Sequence, residues 1–258
     1  MLRTKPKSPV RLPAAPIAGL VITLAAALFF IVPIIGSLTV LATPDGVTII
    51  PIRNSTATPA AAGLINTSGG TISTVNLNGT TQDVRWKAFI GNLSGSFVLE
   101  DASGSTIYSW GATSPSGEVY ATRNPAIVNW TGIGCANSTH LANEDVTLSQ
   151  TNKDDNITAT FNTQQHSAFY VDVRQISQNS CYSIHTYVNS SPQSTKFEEA
   201  ALYDGTNLTD GKIVFATLLE QNAYGYNNQT YDFQMILPER GEPTWQSSTA
   251  YYFYVELS

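Results

Sequence analysis

The sequence predicts an all-β protein, in which one N-terminal apolar helix precedes a single domain with a β-sandwich or jelly-roll-like fold. Two observations support this prediction. After residue 43, apolar residues alternate with polar ones at a period of two, and turn-forming residues recur about every 8 to 15 positions. Before residue 43, a long apolar run contains no ionisable side chain. The two parts of the chain therefore belong in different environments.

Twelve segments carry the strand pattern. Two of them are "VRWKAFIGN", with Val84, Trp86, Ala88 and Ile90 on one face, and "TYDFQMILPE", with Tyr231, Phe233, Met235 and Leu237 on one face. The other ten are Val47 to Ile52, Thr71 to Leu77, Ser96 to Glu100, Ser105 to Trp110, Glu118 to Thr122, Asn156 to Phe161, Phe169 to Arg174, Phe197 to Tyr203, Ile213 to Leu219 and Ala250 to Leu257. One helical turn is predicted in "LANEDVTLSQ". A sandwich or jelly roll accommodates this many short strands.

The apolar run Ile17 to Ala42 predicts a transmembrane anchor. It holds 26 residues without a charge, and about 20 suffice to cross a bilayer. The preceding tail, 1–16, carries Arg3, Lys5, Lys7 and Arg11, which places the N-terminus in the cytoplasm by the positive-inside rule. The alternative is a signal peptide cleaved after Ala42, although signal apolar regions usually span only about 7 to 15 residues. Both interpretations place the rest of the chain outside the cell.

Charge separates the same two regions. The first 42 residues carry +4 and the whole chain carries −6, so the remainder carries −10. Nucleic-acid binding needs clustered Lys and Arg, and this charge therefore argues against a nucleic-acid partner. Charged residues make up only 12% of the chain, about half the usual share. We expect an extracellular strand and flexible stalk at 43–70, followed by one ectodomain at 71–258.

Ten Asn-x-Ser/Thr tripeptides follow the apolar run, and none precedes it. Chance would give about four in a region of this composition. The tripeptide is the acceptor for N-glycosylation on exported chains. The predicted sites are Asn54, Asn66, Asn78, Asn92, Asn129, Asn137, Asn156, Asn189, Asn207 and Asn228. A polar composition produces some matches incidentally, so the set carries more weight than any one member.

The chain has two cysteines, Cys135 and Cys181, both after the apolar run. Two thiols in an oxidising compartment most simply form one disulfide. Two free buried thiols are the alternative. A metal site is less favoured because His140, His166 and His185 show no ligand spacing.

Signatures of catalysis and of cofactor binding are missing from the sequence. It contains no G-x-S-x-G, H-E-x-x-H, P-loop or G-x-G-x-x-G pattern, so we expect a non-enzymatic protein without a cofactor. Acidic turns at Asp154-Asp155-Asn156 and at 204–210 offer oxygen ligands for Ca²⁺ in principle. Neither matches the EF-hand pattern, and such residues also favour ordinary solvated turns.

Two surfaces suggest interaction. The apolar strand at 47–52 could pair with the open sheet of a neighbouring copy, although Pro51 restricts it to an edge and pairing within its own domain is the simpler interpretation. In the last strand, Tyr252, Tyr254 and Glu256 share the face opposite Tyr251, Phe253, Val255 and Leu257. Aromatic rings on that face could stack on sugar rings, or could simply cover a second sheet.

Several phrases resemble the recurring blocks of secreted, membrane-anchored surface glycoproteins of archaea. They are "RWKAFIGN", "DASGSTIYSW", "GEVYATRN", "KFEEAALYDGTN", "TYDFQMILPE" and "AYYFYVELS". The resemblance implies a surface-layer or filament-like role. Type IV pilins and archaellins carry a basic-Gly cleavage site with Glu five residues on, whereas here Ala18 precedes Gly19 and Leu24 stands in the Glu position. Pilin-type processing is therefore not implied.

These observations lead to two expected functions. The first is a structural cell-surface glycoprotein, anchored through Ile17 to Ala42 in the lipid bilayer and assembling with copies of itself or with other surface proteins. The second is an adhesin or receptor that recognises glycans or a partner cell surface. Neither function requires catalysis.

Overall fold

The computed structural model describes residues 43–50, 53–126, 128–205, 213–240 and 248–258. These residues form fifteen strands. The strands are β1 (Asp45–Gly46), β2 (Trp86–Gly91), β3 (Gly95–Glu100), β4 (Thr106–Ala112), β5 (Gly117–Thr122), β6 (Gly134–Cys135), β7 (Phe169–Val171), β8 (Arg174–Ile176), β9 (Ser183–His185), β10 (Glu198–Tyr203), β11 (Ile213–Leu218), β12 (Ala223–Tyr224), β13 (Thr230–Tyr231), β14 (Phe233–Pro238) and β15 (Tyr252–Leu257). Two α-helices are present in the same residues, α1 (Ser138–Thr147) and α2 (Ile157–Thr160), with a short 3-10 helix at Trp130–Gly132.

A seven-stranded antiparallel sheet forms the centre of the fold. Its strand order is β1-β15-β5-β11-β10-β6, and β9 also pairs with β10. The long strands β5, β10 and β11 are adjacent, and five consecutive residues of each are buried. Successive side chains of a strand point to opposite faces, so a run of buried residues means that both faces of the sheet are covered.

Each face of the sheet packs against its own apolar core. On one face, Phe215 and Ala201 pack with Leu141 of α1, Phe161 after α2 and Leu237 of β14. Strand β14 pairs with β2 in a separate two-stranded ladder above this face. On the other face, a second group of sheet residues packs with Trp130, Ile133 and the β7–β8 hairpin. The apolar alternation of the sequence thus supplies two cores with one sheet between them.

The mostly β content and the antiparallel pairing confirm the predicted all-β class. Nine of the twelve predicted strands overlap an observed one. The described residues belong to one compact unit, 41–258. No helix among the described residues has the length and apolar character to cross a membrane. The predicted anchor, Ile17 to Ala42, lies outside the described residues, as does the tail before it.

Both helices depart from the sequence-based expectation. Helix α1 extends for ten residues, where one turn was expected, because Asn137 and His140 form a reciprocal capping box at its N-terminus. The strand predicted from Asn156 to Phe161 is wrong. There Asn156 caps α2 by accepting a hydrogen bond from the Ala159 N–H at 2.7 Å. Ile157 and Phe161, four residues apart, then share one buried face of the turn.

Three further strand predictions need correction. Thr71 to Leu77 has no secondary structure, because an alternating pattern becomes a strand only when another strand pairs with it. The first strand lies at Asp45–Gly46, and residues 47–50 do not continue it, while 51 and 52 lie outside the described residues. Phe169 to Arg174 is a tight hairpin, because Asp172 adopts a positive φ of 53° at its turn.

Candidate functional site

The predicted disulfide is confirmed. Cys135 in β6 and Cys181 before β9 are bonded, with an S–S distance of 1.97 Å and a sequence separation of 46. His166 is buried next to Cys181, and its Nε2 accepts hydrogen bonds from the backbone N–H groups of Ser180 and Cys181. Its Nδ1 therefore carries the proton and donates to the Ser167 carbonyl at 2.7 Å. This histidine fixes the backbone around the disulfide.

Most of the predicted glycan acceptors lie on the surface. Seven asparagines are exposed: Asn54, Asn66, Asn78, Asn92, Asn137, Asn189 and Asn228. Asn129 and Asn156 are half-buried, and Asn207 lies outside the described residues. Attachment of a sugar needs an accessible side-chain amide, and these seven satisfy that condition.

Three of the asparagines have a second role as helix caps. Asn129, Asn137 and Asn156 each accept a backbone hydrogen bond at the start of a helix. Asn is a preferred residue at the N-cap of a helix, so some Asn-x-Ser/Thr tripeptides occur at helix starts. This explains part of the excess of tripeptides over the number expected by chance. The two half-buried members of the ten are both caps. We therefore assign Asn129 and Asn156 mainly to helix capping.

The β3–β4 hairpin presents an apolar face to solvent. Phe97 lies opposite Trp110 and Leu99 lies opposite Tyr108, so these four side chains share one face, which we call the hairpin face. All four are exposed. The Tyr108 and Trp110 rings contact each other at 4.6 Å between centroids. Outside the hairpin face, the hairpin carries two more exposed apolar side chains, Val98 and Ile107, beside small residues and serines.

Among the described residues, β3 and β4 pair only with each other. An isolated two-stranded hairpin is marginally stable in water and gains stability when its apolar face is covered. The hairpin also lies in a stretch free of acceptor tripeptides, which are absent between Asn92 and Asn129. Sequence patterns predicted both strands of this hairpin but not their exposed shared face.

A pair of buried carboxyl groups lies on the central sheet. Glu118 of β5 and Glu256 of β15 are cross-strand partners. Their residues are 7% and 2% exposed. The Tyr120 hydroxyl donates to Glu256 Oε2 at 2.8 Å, and the Asp172 N–H donates to both carboxylate oxygens. Thr43 in turn donates to the Asp172 carboxylate at 3.1 Å.

The environment of this pair favours retention of a proton. Burial, and then the nearby charge of Glu256, raise the pKa of Glu118 from its ordinary 4.5 to about 8, against a smaller lowering by the hydrogen bond with Tyr120. Burial also raises the pKa of Glu256, while the hydrogen bonds from Asp172 and Tyr120 oppose that change. At neutral pH, Glu118 is thus a neutral carboxylic acid beside the more strongly hydrogen-bonded Glu256.

The carboxyl pair borders a cavity of about 310 Å³. Phe169 and Tyr170 of β7 line one side of it, and Leu218 and Leu219 line another. A protonated carboxyl and a carboxylate can hold and exchange one proton. The described residues contain no group of three or more His, Cys, Asp or Glu side chains placed to hold a metal ion. The cross-strand position of Glu118 and the hydrogen bonds to Glu256 indicate a proton-linked structural pair.

The other ionisable residues singled out in the sequence have structural contacts. His140 stacks on Tyr203 with 3.9 Å between ring centroids, and His185 lies 3.9 Å from a Glu198 oxygen. Asp155 forms an ion pair with Arg85 at 2.7 Å. Asp204 is buried and accepts from Asn124, while most of the acidic turn after it lies outside the described residues.

The last strand lies with its two faces as expected. Tyr251, Phe253 and Val255 pack against the first core. On the other face, Tyr254 packs against the second core and contacts the Trp130 ring edge-on at 5.2 Å, and Glu256 is buried. Tyr252 is thus the one exposed ring of β15, whereas the hairpin face carries three exposed rings, Phe97, Tyr108 and Trp110. Other exposed tyrosines of the described residues are Tyr170, Tyr187, Tyr224 and Tyr226.

Comparison of the chain with protein-family models, with curated proteins and with solved structures finds no match.

Proposed function

We propose that this chain is a non-enzymatic structural glycoprotein of the cell surface, anchored by Ile17 to Ala42 and assembling into a surface layer or filament. The hairpin face is the observation that most strongly supports the proposal. Four exposed apolar side chains lie on one face of a two-stranded hairpin. The free energy falls when another protein covers such a surface and removes it from water.

The distribution of glycan acceptors supports the same function. The seven exposed asparagines lie outside the hairpin, the nearest in sequence being Asn92, three residues before β3, so no acceptor lies on the hairpin face itself. Sugars would also keep a surface of low charge soluble. A disulfide and a twelve-percent charged composition suit an exported protein.

We further propose a sandwich rather than a jelly roll for the domain. The stacking of the β2–β14 ladder on one face of the seven-stranded sheet supports this choice. The helices α1 and α2 complete the same layer. A rigid domain of this kind suits a load-bearing surface protein.

Electron microscopy of negatively stained native protein, extracted from its membrane, tests the proposal. We expect filaments or ordered lattices from the wild type and dispersed particles from a Leu99→Asp variant. The matched control is Val98→Asp, one residue away on the opposite face, which should still assemble. Dispersed wild-type particles at every concentration would rule out the structural function.

The same hairpin supports an adhesin as the second candidate. Tyr108 and Trp110 are both exposed, and adjacent aromatic rings stack on the apolar faces of sugars. An adhesin should bind immobilised glycans as a monomer and lose that binding in Trp110→Ala. Binding to glycans by dispersed wild-type particles would favour this function over the structural one.

A further inference from the structure

A second apolar feature of the chain has no partner among the described residues. Residues 53–85 contain no helix or strand, yet Thr71 to Leu77 has the composition and alternation of a strand. Ile72 is 101% exposed, and Val75 and Leu77 are exposed as well. The hairpin in turn lacks further strand partners among the described residues, because β3 and β4 each keep one edge of unpaired N–H and C=O groups.

The two features are compatible in charge. Residues 54–82 contain no ionisable side chain. In the hairpin only Glu100 and Asp101 are charged, and both lie at its turn, where Asp101 accepts hydrogen bonds from Ser103 and Ser105. A strand placed along either free edge would therefore meet no like charge. In one of the two possible registers, Val75 and Leu77 lie on the same side as the hairpin face and extend it.

The connection is long enough to reach another molecule. Gly46 pairs with Tyr254, and Trp86 pairs with Pro238, so both ends of the intervening segment are fixed to the domain. Leu77 is nine residues from Trp86, so it could lie up to roughly 30 Å from that fixed end if the connection is extended. A domain of this size has a radius of gyration of about 17 Å. The segment can thus leave its own domain and contact a neighbour.

We propose that Thr71 to Leu77 of one copy adds as a third strand to the β3–β4 hairpin of a second copy. This inference rests on the proposed self-assembly and identifies its joint. The segment and the hairpin are different surfaces of the same chain, so the contact is heterologous and each copy can both donate and accept a strand. Repetition of one such contact builds an open filament or a lattice. A sugar on Asn78 would end the pairing at Leu77.

Disulfide trapping between two variants tests the joint directly. Both native cysteines are bonded to each other, so one introduced cysteine is the single free thiol of each variant. Full-length Thr74→Cys is mixed with Ser96→Cys, for the β3 edge, or with Ser109→Cys, for the β4 edge. These three positions avoid the apolar side chains. The matched control thiol is Ser55→Cys, exposed and outside the segment.

We expect at least about tenfold more cross-linked dimer from a Thr74→Cys mixture with one of the hairpin variants than from the Ser55→Cys mixture. Dimers that form equally well from a hairpin variant alone would instead indicate that two hairpins contact each other, through their edges or their Val98 sides. A double variant, Thr74→Cys/Ser109→Cys, that closes only within one chain would show that the segment covers its own hairpin. Either result would overturn the proposed joint.

Microscopy of the same samples separates this inference from the proposed function. Ordered arrays without cross-linking at either edge would place the joint elsewhere and leave the structural function standing. Neither arrays nor cross-links would contradict both. Ile72, Val75 and Leu77 are exposed and lie outside the core, so a variant with Ser at all three positions should still fold. Arrays that persist in this variant would also overturn the joint.

Discussion

Glu118 and Glu256 lie directly opposite each other on the neighbouring antiparallel strands β5 and β15, and both side chains are buried. Like charges at such a cross-strand position destabilise a sheet. The fold avoids this repulsion by keeping a proton on Glu118, while Tyr120 and the Asp172 N–H hold Glu256. Folding stability must then depend on pH.

The sign of that dependence follows from the raised pKa of Glu118, which is about 8 against an ordinary 4.5. Below the ordinary value both states are protonated and the contribution to stability is fully present. As pH rises from there, the unfolded chain loses its proton first, so stability falls by up to about 1.4 kcal/mol per pH unit until the folded pKa is passed. We expect Glu118→Gln to reduce this slope and to be the more stable protein at pH 8.

Urea unfolding at three pH values between 5 and 8 measures the effect. Glu100→Gln, an exposed carboxyl on the hairpin, is the matched control and should keep the wild-type slope. An unchanged slope in Glu118→Gln would show that Glu118 does not hold a proton in the folded protein.

Loss of the disulfide should destabilise the domain. The bond closes a loop with a sequence separation of 46. The loop-closure model assigns about 3 to 4 kcal/mol to a loop of this length. We expect the free energy of unfolding of the Cys135→Ala/Cys181→Ala variant to be lower than that of the oxidised wild type by a similar amount. Urea titration measures it, with the reduced wild type for comparison. Equal stability of variant and oxidised wild type would contradict this expectation.

Substitutions at Asn137 and Thr139 separate helix capping from glycosylation. Thr139→Ala removes the acceptor tripeptide and leaves the Asn137 cap, which accepts from the His140 N–H at 3.0 Å. Asn137→Ala removes both and should cost about 1 kcal/mol more in the unglycosylated protein. Urea unfolding measures the cap, and the mass of the peptide from native protein measures the sugar. A native Thr139→Ala peptide that differs in mass from the wild-type peptide by the substitution alone would show that Asn137 carries no glycan.

Asp145 should be the residue on which α2 depends most. Its carboxylate accepts from the Ile157 N–H at 2.7 Å and from the Thr158 hydroxyl at 2.6 Å. Asp145→Ala leaves the buried Ile157 N–H without this partner and removes the acceptor of the Thr158 hydroxyl, which costs about 2 to 3 kcal/mol. Asp154→Ala, at an exposed neighbouring position, is the control and should lie within about 0.5 kcal/mol of the wild type. A similar effect of both substitutions on urea unfolding would contradict the assigned role.

The sequence predicted the sheet well because period-two alternation is a local property. Strands β5, β10 and β11 could be identified from their own residues. The helix α2 could not, because it depends on the Asp145 carboxylate twelve residues away from Ile157. Capping patterns such as Asn137 with His140 were present in the sequence but were interpreted only as glycan acceptors.

The candidate sites depend on pairing between distant strands, which no local pattern encodes. Glu118 and Glu256 are far apart in sequence, and only the β5–β15 register brings them together. Likewise, Leu99 and Tyr108 were predicted in separate strands, while their common exposed face follows from the β3–β4 register. By contrast, the disulfide was predictable because the chain contains only two cysteines.

The most direct test of the account measures self-association through the hairpin face. Full-length protein in lipid nanodiscs, one copy in each, is examined by sedimentation velocity over a hundredfold range of concentration, with Leu99→Asp and Val98→Asp beside the wild type. These residues are 57% and 47% exposed and lie on opposite faces of the hairpin. We expect the wild type and Val98→Asp to form larger species as concentration rises, and Leu99→Asp to sediment as single discs throughout. Single discs from all three proteins, or equal association of all three, would contradict assembly through this face.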